Sequence, residues 1–341
     1  MKKFNVGVIG YGSVAEAHIA AINATPTAHV TSICSSRRHE PDDLAARHGR
    51  PMTWFQDLGE FLAQQDLHAV SICSYPNFHA RQAIAAAQAG KHLIIEKPIA
   101  LNHDDCMAVR DAVAATGVKT CVCFEHRFSA QIRTIKAAIN RGLLGKIHYG
   151  EVDYFRGFGP EWHQYRWLTK KDMAGNSLLV AGCHALDTLL HFMGTEIQSA
   201  SCYATHSMNK DFLRFEYPTT SVTILKFRDG RVGKVASVMD ALQPFYFRVH
   251  LFGSEGTLLD NKFYSTQLGD LDRTKWSKLS LRLLDEGDIP ERAYQKQFEV
   301  FFDAVARNEE MPLTSLKDAL LTHEVIFAAE RSAVRHDHAP H

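Results

Sequence analysis

Gly10-Tyr11-Gly12-Ser13-Val14-Ala15 is the first stretch whose residue types and spacing could do chemistry. In Gly-x-Gly-x-x-Ala the first glycine permits a tight turn, the second lets backbone approach a pyrophosphate, and the small third position keeps a helix close to its strand. Amides at the head of that helix would face the anion. An ordinary strand-turn-helix corner could carry the same letters, so the flanks decide: Phe4 to Ile9 is a short apolar run, and an alanine-rich helical pattern follows. Some twenty residues on, where an adenosine ribose is read, stands Ser35-Ser36-Arg37-Arg38 with no acid among them. An Asp or Glu would accept from both ribose hydroxyls of NAD, whereas Ser and Arg suit a 2′-phosphate, so NADP is the expected cofactor and NAD the alternative. Arg37 and Arg38 would equally serve as solvated loop charges.

Three later stretches also concentrate donors. Ser74-Tyr75-Pro76-Asn77-Phe78-His79 and Glu96-Lys97-Pro98 each follow a strand-like run. A lysine at a strand's carboxyl end, partly desolvated, can shift its pKa and share a proton with a substrate oxygen; its plain alternative is a surface pair with Glu96. Arg156 to Trp167 mixes flat rings with polar tips, so Trp162, His163 and Arg166 can form a wall against the C–H face and hydroxyls of a pyranose. Trp162 and Trp167 would equally be core plugs.

These residues need a frame. Strand-like runs at His29–Cys34, His68–Cys73, His92–Ile95 and Thr120–Phe124 alternate with helical patterns at Pro41–His48, Asp57–Ala63, Asn77–Ala89 and Asn102–Thr116. Such alternation predicts an α/β Rossmann domain with a doubly wound parallel sheet over residues 1–124. From about Gly145 long β-type segments predict an α+β domain over 125–341 with a large, mostly antiparallel open sheet, read as a meander. Phe227-Arg228-Asp229-Gly230-Arg231-Val232 is expected to close a two-residue hairpin. A sheet so large leaves a face for subunit packing, so a homodimer or homotetramer is expected. Helices are expected at Pro290–Arg307 and Ser315–Val334, with a frayed end from His336 to His341.

The totals narrow the partners. At 341 residues the chain is long for one core, 45% hydrophobic and 22% charged residues are ordinary for a globular protein, and 38 basic residues balance 38 acidic ones. No net field recruits nucleic acid or an anionic membrane, so a small molecule is the expected partner. No apolar run reaches the length of a membrane span. Met1-Lys2-Lys3 precedes an apolar run too short for a signal peptide. Seven scattered cysteines point to reduced thiols and a cytoplasmic location.

The fingerprint, Glu96-Lys97-Pro98, Ala181-Gly182-Cys183-His184-Ala185-Leu186-Asp187 and Pro312 to Ala319 occur in an order that resembles the glucose-fructose oxidoreductase, inositol dehydrogenase and rhizopine-catabolism (Gfo/Idh/MocA) family. The resemblance spans nearly the whole chain and implies a hydride transfer between a nicotinamide and a secondary hydroxyl or keto carbon of a sugar, sugar derivative or cyclitol. It implies that Lys97 and His184 are catalytic, and that Asp187, His163, Arg166 and Trp162 bind substrate. Gly10, Tyr11, Gly12, Ser13, Val14, Ser35, Ser36, Arg37, Arg38, Ser74, Tyr75, Asn77, His79, Glu96, Lys97, Pro98 and Arg127 would bind the cofactor, and Pro98 is a candidate for a cis bond. No metal is expected: His184, Asp187 and His191 lack a further ligand at sensible spacing. The family's first aspartate of Asp-x-Gly-x-His-x-x-Asp is Val180 here, which puts an Asp–His proton relay in doubt. Two other classes stay open: glycoside cleavage through transient oxidation, and cofactor sensing without catalysis.

Overall fold

The computed structural model describes residues 3–284 and 291–337. The chain begins as β1 (Phe4–Ile9), α1 (Ser13–Ala24), β2 (Ala28–Cys34), α2 (Pro41–His48), β3 (Thr53–Phe55), α3 (Leu58–Leu62), β4 (Ala69–Ile72), α4 (Pro76–Gln88), β5 (His92–Ile95), α5 (His103–Thr116) and β6 (Thr120–Val122). The strands form one sheet in the order β3-β2-β1-β4-β5-β6, every pair parallel. Parallel strands require crossovers, and the crossover helices cover both faces. Hence Val6, Val8, Ile33, Val70, Ile72, Ile94 and Ile95 are all fully buried. The direction of strand order reverses between β1 and β4, so the crevice at their carboxyl ends is where such a sheet takes ligands. Local signals set the helix ends: Asn102 caps α5 by accepting from the Asp105 N–H, and Gly117 closes it in the left-handed region.

A 3₁₀ turn at Glu125–Phe128 leads into α6 (Ala130–Asn140), β7 (Ile147–Phe155), α7 (Tyr165–Leu168), α8 (Lys171–Ala174) and α9 (Cys183–Met193). Then follow β8 (Ile197–Thr205), β9 (Thr220–Phe227), β10 (Val232–Val238), β11 (Tyr246–Gly253), β12 (Gly256–Leu259), β13 (Lys262–Ser265) and β14 (Ser277–Lys278). They make an eight-stranded sheet in the order β14-β13-β12-β11-β7-β10-β9-β8. It is not a simple meander: β7 and β10 pair in parallel at its centre, because β7 inserts between β11 and β10. The β9–β10 hairpin also differs from expectation. Phe227 faces Arg231 across a three-residue loop, and only Gly230 takes a positive φ, of 93°. One face of this sheet is apolar, with Val152, Leu225, Phe227, Val235, Val249 and Leu251 fully buried. Helix α9 packs there at close range: a Cβ on Gly150 would lie 2.6 Å from the Met193 sulfur.

The chain ends with α10 (Glu291–Ala306) and α11 (Leu316–Asp337). Two compact units result, Met1–Glu125 with Ile289–Leu320, and His126–Asp288 with Leu321–His341. In the first, Phe302 stacks on Phe4 with centroids 5.6 Å apart, and Gln297 donates to the Val122 carbonyl at 2.9 Å. The Thr314 carbonyl accepts from the Val122 N–H at 2.8 Å, so a loop covers the outer edge of β6. In the second, the His336 ring stacks on Tyr203 at 4.2 Å. Pro290 and the tail from His338 to His341 lie outside the described residues. No helix among the described residues is long and apolar enough to cross a membrane, and all seven cysteines are free thiols.

Candidate active site

In the first unit the turn between β1 and α1 separates two kinds of glycine. Gly10 has φ of 88°, and a Cβ there would meet the Cys73 and Ser74 backbone at 2.8 Å, so folding itself demands glycine. Gly12 has an ordinary extended backbone, and a Cβ on it would meet nothing within 4 Å. Open space therefore lies beside Gly12, the N-cap of α1. Such a cradle of helix amides fits a pyrophosphate, and Gly12, Ser13 and Val14 line it. Tyr11 turns to α2, with its hydroxyl 2.7 Å from His48 Nε2.

After β2, the Ser35 hydroxyl donates to the Arg37 carbonyl at 2.8 Å, and Trp54 Nε1 donates to the Ser35 carbonyl at 3.2 Å. Trp54, which sequence reasoning passed over, therefore fixes this loop from β3. Ser36, Arg37 and Arg38 are exposed, and Arg38 pairs with Glu40 at 2.9 Å. After β4, Tyr75 and Asn77 are exposed, while the Ser74 hydroxyl donates to Gln82 at 2.6 Å.

Two expected cofactor ligands turn inward. His79 is 1% exposed, with Nδ1 2.7 Å from the Pro98 carbonyl and Nε2 3.0 Å from the Ser74 carbonyl, so it staples the ends of β4 and β5. Glu96 is 6% exposed; its Oε1 lies 3.0 Å from His18 Nε2 and accepts from the Tyr294 hydroxyl at 2.8 Å. Its Oε2 accepts the Lys97 N–H at 3.0 Å. Burial opposes the Glu96 charge, yet His18, Lys97 and Tyr294 together hold its pKa below the usual carboxylate range. Lys97 is half-buried and precedes a cis peptide to buried Pro98. His18, Glu96 and Cys123 offer three donor atoms within 4.8 Å of one another, but the His18 and Glu96 atoms already satisfy each other. Glu125, unmarked in the sequence, is buried; burial and then the charge of Glu96 push it up to about 8, so it holds a proton at neutral pH.

In the second unit, His184 is 5% exposed at the start of α9. Its ring stacks on His126 with centroids 4.3 Å apart, and Tyr154 lies nearly parallel to it at 6.3 Å. The stretch before it is π-helical from Leu178 to Gly182 rather than α-helical, a local departure that often accompanies functional sites. Asn176 accepts the Leu179 N–H at 2.8 Å, and its buried Nδ2 meets no partner among the described residues. Val180 is 7% exposed and supplies no carboxylate.

Arg127, expected at the cofactor, instead grips Asp187. Nε donates to Oδ2 at 2.7 Å and a terminal nitrogen to Oδ1 at 2.6 Å. Thr322 adds a donor to Oδ1 at 3.1 Å. The His191 pKa is driven down to about 3, first by burial and then by the Arg127 and Lys136 charges.

The loop after β7 forms an aromatic cage. The Arg156 guanidinium lies 4.4 Å from the Trp162 ring, 5.2 Å from Phe245 and 5.5 Å from Phe158. His163 and Arg166 are exposed. A groove of about 350 Å³ is lined by Arg156, Glu161, Asp211, Phe212, Gln243 and Phe245, so the 211–212 and 241–245 loops contribute residues that no sequence motif marked.

Comparison with known proteins covers both units. The model for an oxidoreductase family with an NAD-binding Rossmann fold, Gfo/Idh/MocA, matches residues 4–124, and the model for the Gfo/Idh/MocA C-terminal domain matches residues 132–259. Myo-inositol 2-dehydrogenase of Thermotoga maritima is 23% identical over 96% of this chain and 95% of its own. A scyllo-inositol 2-dehydrogenase (NADP+) of Bacillus subtilis is 28% identical over 55% of this chain and 51% of its own. The solved levoglucosan dehydrogenase in complex with NADH and levoglucosan superposes with a TM-score of 0.84 at 23% identity, covering 98% of each chain, a likeness of fold.

Proposed function

Because the chain belongs to the Gfo/Idh/MocA oxidoreductase family, we propose that it moves a hydride between a nicotinamide dinucleotide and a secondary carbinol or keto carbon of a sugar, sugar derivative or cyclitol. The observation that carries this reading is the pairing, on one parallel sheet, of the open cradle at Gly12 with a lysine held at the carboxyl end of β5. When bound, the nicotinamide supplies the hydride acceptor or donor.

Gly10, Gly12, Ser13 and Val14 would hold the pyrophosphate, Ser35, Ser36, Arg37 and Arg38 the adenosine ribose, and Ser74, Tyr75 and Asn77 the remainder. We favour NADP, since Arg37 is exposed beside Ser35 and the loop from Ser35 to Arg38 holds no acid. Lys97 donates to the reacting oxygen and stabilises negative charge on it. His184 takes the hydroxyl proton on a ring nitrogen during oxidation and returns it during reduction. Asp187, its orientation set by Arg127, and His163 hold neighbouring hydroxyls, while Trp162 and Arg166 form part of the substrate wall. The mixed polar and aromatic groove by Arg156 supports a carbohydrate-like ligand. Exposed Tyr203 and Ile224 on the second sheet support packing of copies into a dimer or tetramer, and the all-thiol cysteines support a reducing compartment.

Reduced-nicotinamide absorbance, with NADP and NAD separately, across free sugars, glycosides and cyclitols tests the reading. Reduction dependent on one sugar class and lowered roughly a hundredfold or more in Lys97→Ala is expected; turnover unchanged in that variant removes Lys97 from the mechanism. Val180 favours a second reading, in which a glycoside is oxidised, eliminated and reduced again. Release of an aglycone without net cofactor reduction would identify it.

A further inference from the structure

His18, on α1, is 0% exposed and takes no part in the functions above. Its Nδ1 lies 2.8 Å from the Ser71 hydroxyl of β4 and its Nε2 3.0 Å from Glu96 Oε1. Every packed element presents a group to it. Cys73 brings its sulfur within 3.3 Å of Nδ1, and Cys123 within 3.9 Å of Nε2. From α10 the Tyr294 and Phe298 rings pack at 4.6 and 5.0 Å. A carboxylate buried among such groups stays ionised only with donors and a cation beside it. Tyr294 is a donor without charge, and His18 is the group in contact with Glu96 Oε1 that can carry one. Burial disfavours the charged ring, but the Cys73 sulfur and Glu96 outweigh it and push His18 up to about 10.

We propose that His18 is a positioning residue for Lys97 and acts through Glu96. As an imidazolium it keeps Glu96 ionised, and the ionised carboxylate anchors the Lys97 N–H, fixing the turn that presents the ammonium group. His79 holds the following carbonyl, that of Pro98, at 2.7 Å, so the backbone on both sides of Lys97 is gripped by buried side chains. The proposal rests on the dehydrogenase reading only for what Lys97 does to a substrate.

Its test therefore needs no turnover. In cofactor-free protein labelled with ¹³C and ¹⁵N, both ring nitrogens of His18, assigned by through-bond correlation to its backbone, should carry protons at pH 7; a neutral ring overturns the proposal even if His18→Gln fails to fold. In protein labelled with ¹⁵N-lysine, the Lys97 amide, assigned by Lys97→Arg, should hold its position from pH 5 to pH 7, below the titration of the neighbouring Glu125 at about 8. In His18→Gln the same amide should titrate within that range, as Glu96 loses its counter-ion and takes up a proton, while the Lys234 amide stays put. A Lys97 amide equally flat in both proteins overturns the proposal. With any sugar that gives turnover, His18→Gln should lower kcat about tenfold and leave the cofactor KM within about twofold; equal kcat in a variant whose Lys97 amide does titrate would likewise sink it.

Discussion

Glu96 and Asp187 are buried carboxylates, 6% and 1% exposed, one in each unit, and the fold compensates them by different means. Glu96 has a histidine on one oxygen and a backbone N–H on the other. Asp187 has the fork of Arg127 on both oxygens and a threonine besides. A guanidinium does not lose its proton in a folded protein, so the cation of the Asp187 pair is permanent. The Glu96 pair lasts only while His18 is charged. A permanent cation secures a helix, whereas a titratable one sits directly behind the turn that carries Lys97.

The largest effect is expected from Arg127→Ala, which strands Asp187 in a buried site and should cost about 3–5 kcal/mol in urea unfolding. A variant as stable as the parent would mean that the fork contributes nothing net. His18→Gln should act with an alkaline pH dependence that Arg127→Ala lacks, because only the histidine loses its proton there. His18 is raised from 6.5 to about 10, so its contribution is fully present below about pH 6.5 and disappears as pH rises through about 10. Glu96 is lowered from 4.5, so the pair is also lost as pH falls below that value. The Tm gap between His18→Gln and the parent should be widest near pH 5 to 6.5 and close by about pH 10; a constant gap would make His18 a packing residue. Smallest is Tyr294→Phe, which removes one donor from Glu96 and should lower stability by about 1.5–3 kcal/mol, as expected for a hydrogen bond to a charged group. No change there would leave Glu96 dependent on His18 and on Lys97.

What the sequence made legible was local. The glycines of the first turn and the strand-helix alternation each declare themselves within a few residues, and each appears in the structure. Pairs distant in sequence did not. Arg127 read as a cofactor ligand because its partner is 60 residues away, and nothing in the sequence marked His18, because Glu96 is 78 residues away. An apolar strand carries no mark of direction, so the parallel β7–β10 pair inside an antiparallel sheet was equally hidden. The π-helical turn before His184 has no sequence signature at the level of hydrophobic period.

The return of α10 to the first unit also sets a timetable for synthesis. Tyr294, Gln297 and Phe298 supply a donor to Glu96, a donor to the Val122 carbonyl and a wall for His18. None of them exists when the first 125 residues have left the ribosome. At roughly 5–20 residues per second, the opening sheet waits about 8–33 s for its closing helix. During that interval the Glu96 carboxylate lacks its α10 donor and the β6 edge its covering loop, so the half-finished domain is the species that a nascent-chain chaperone would meet.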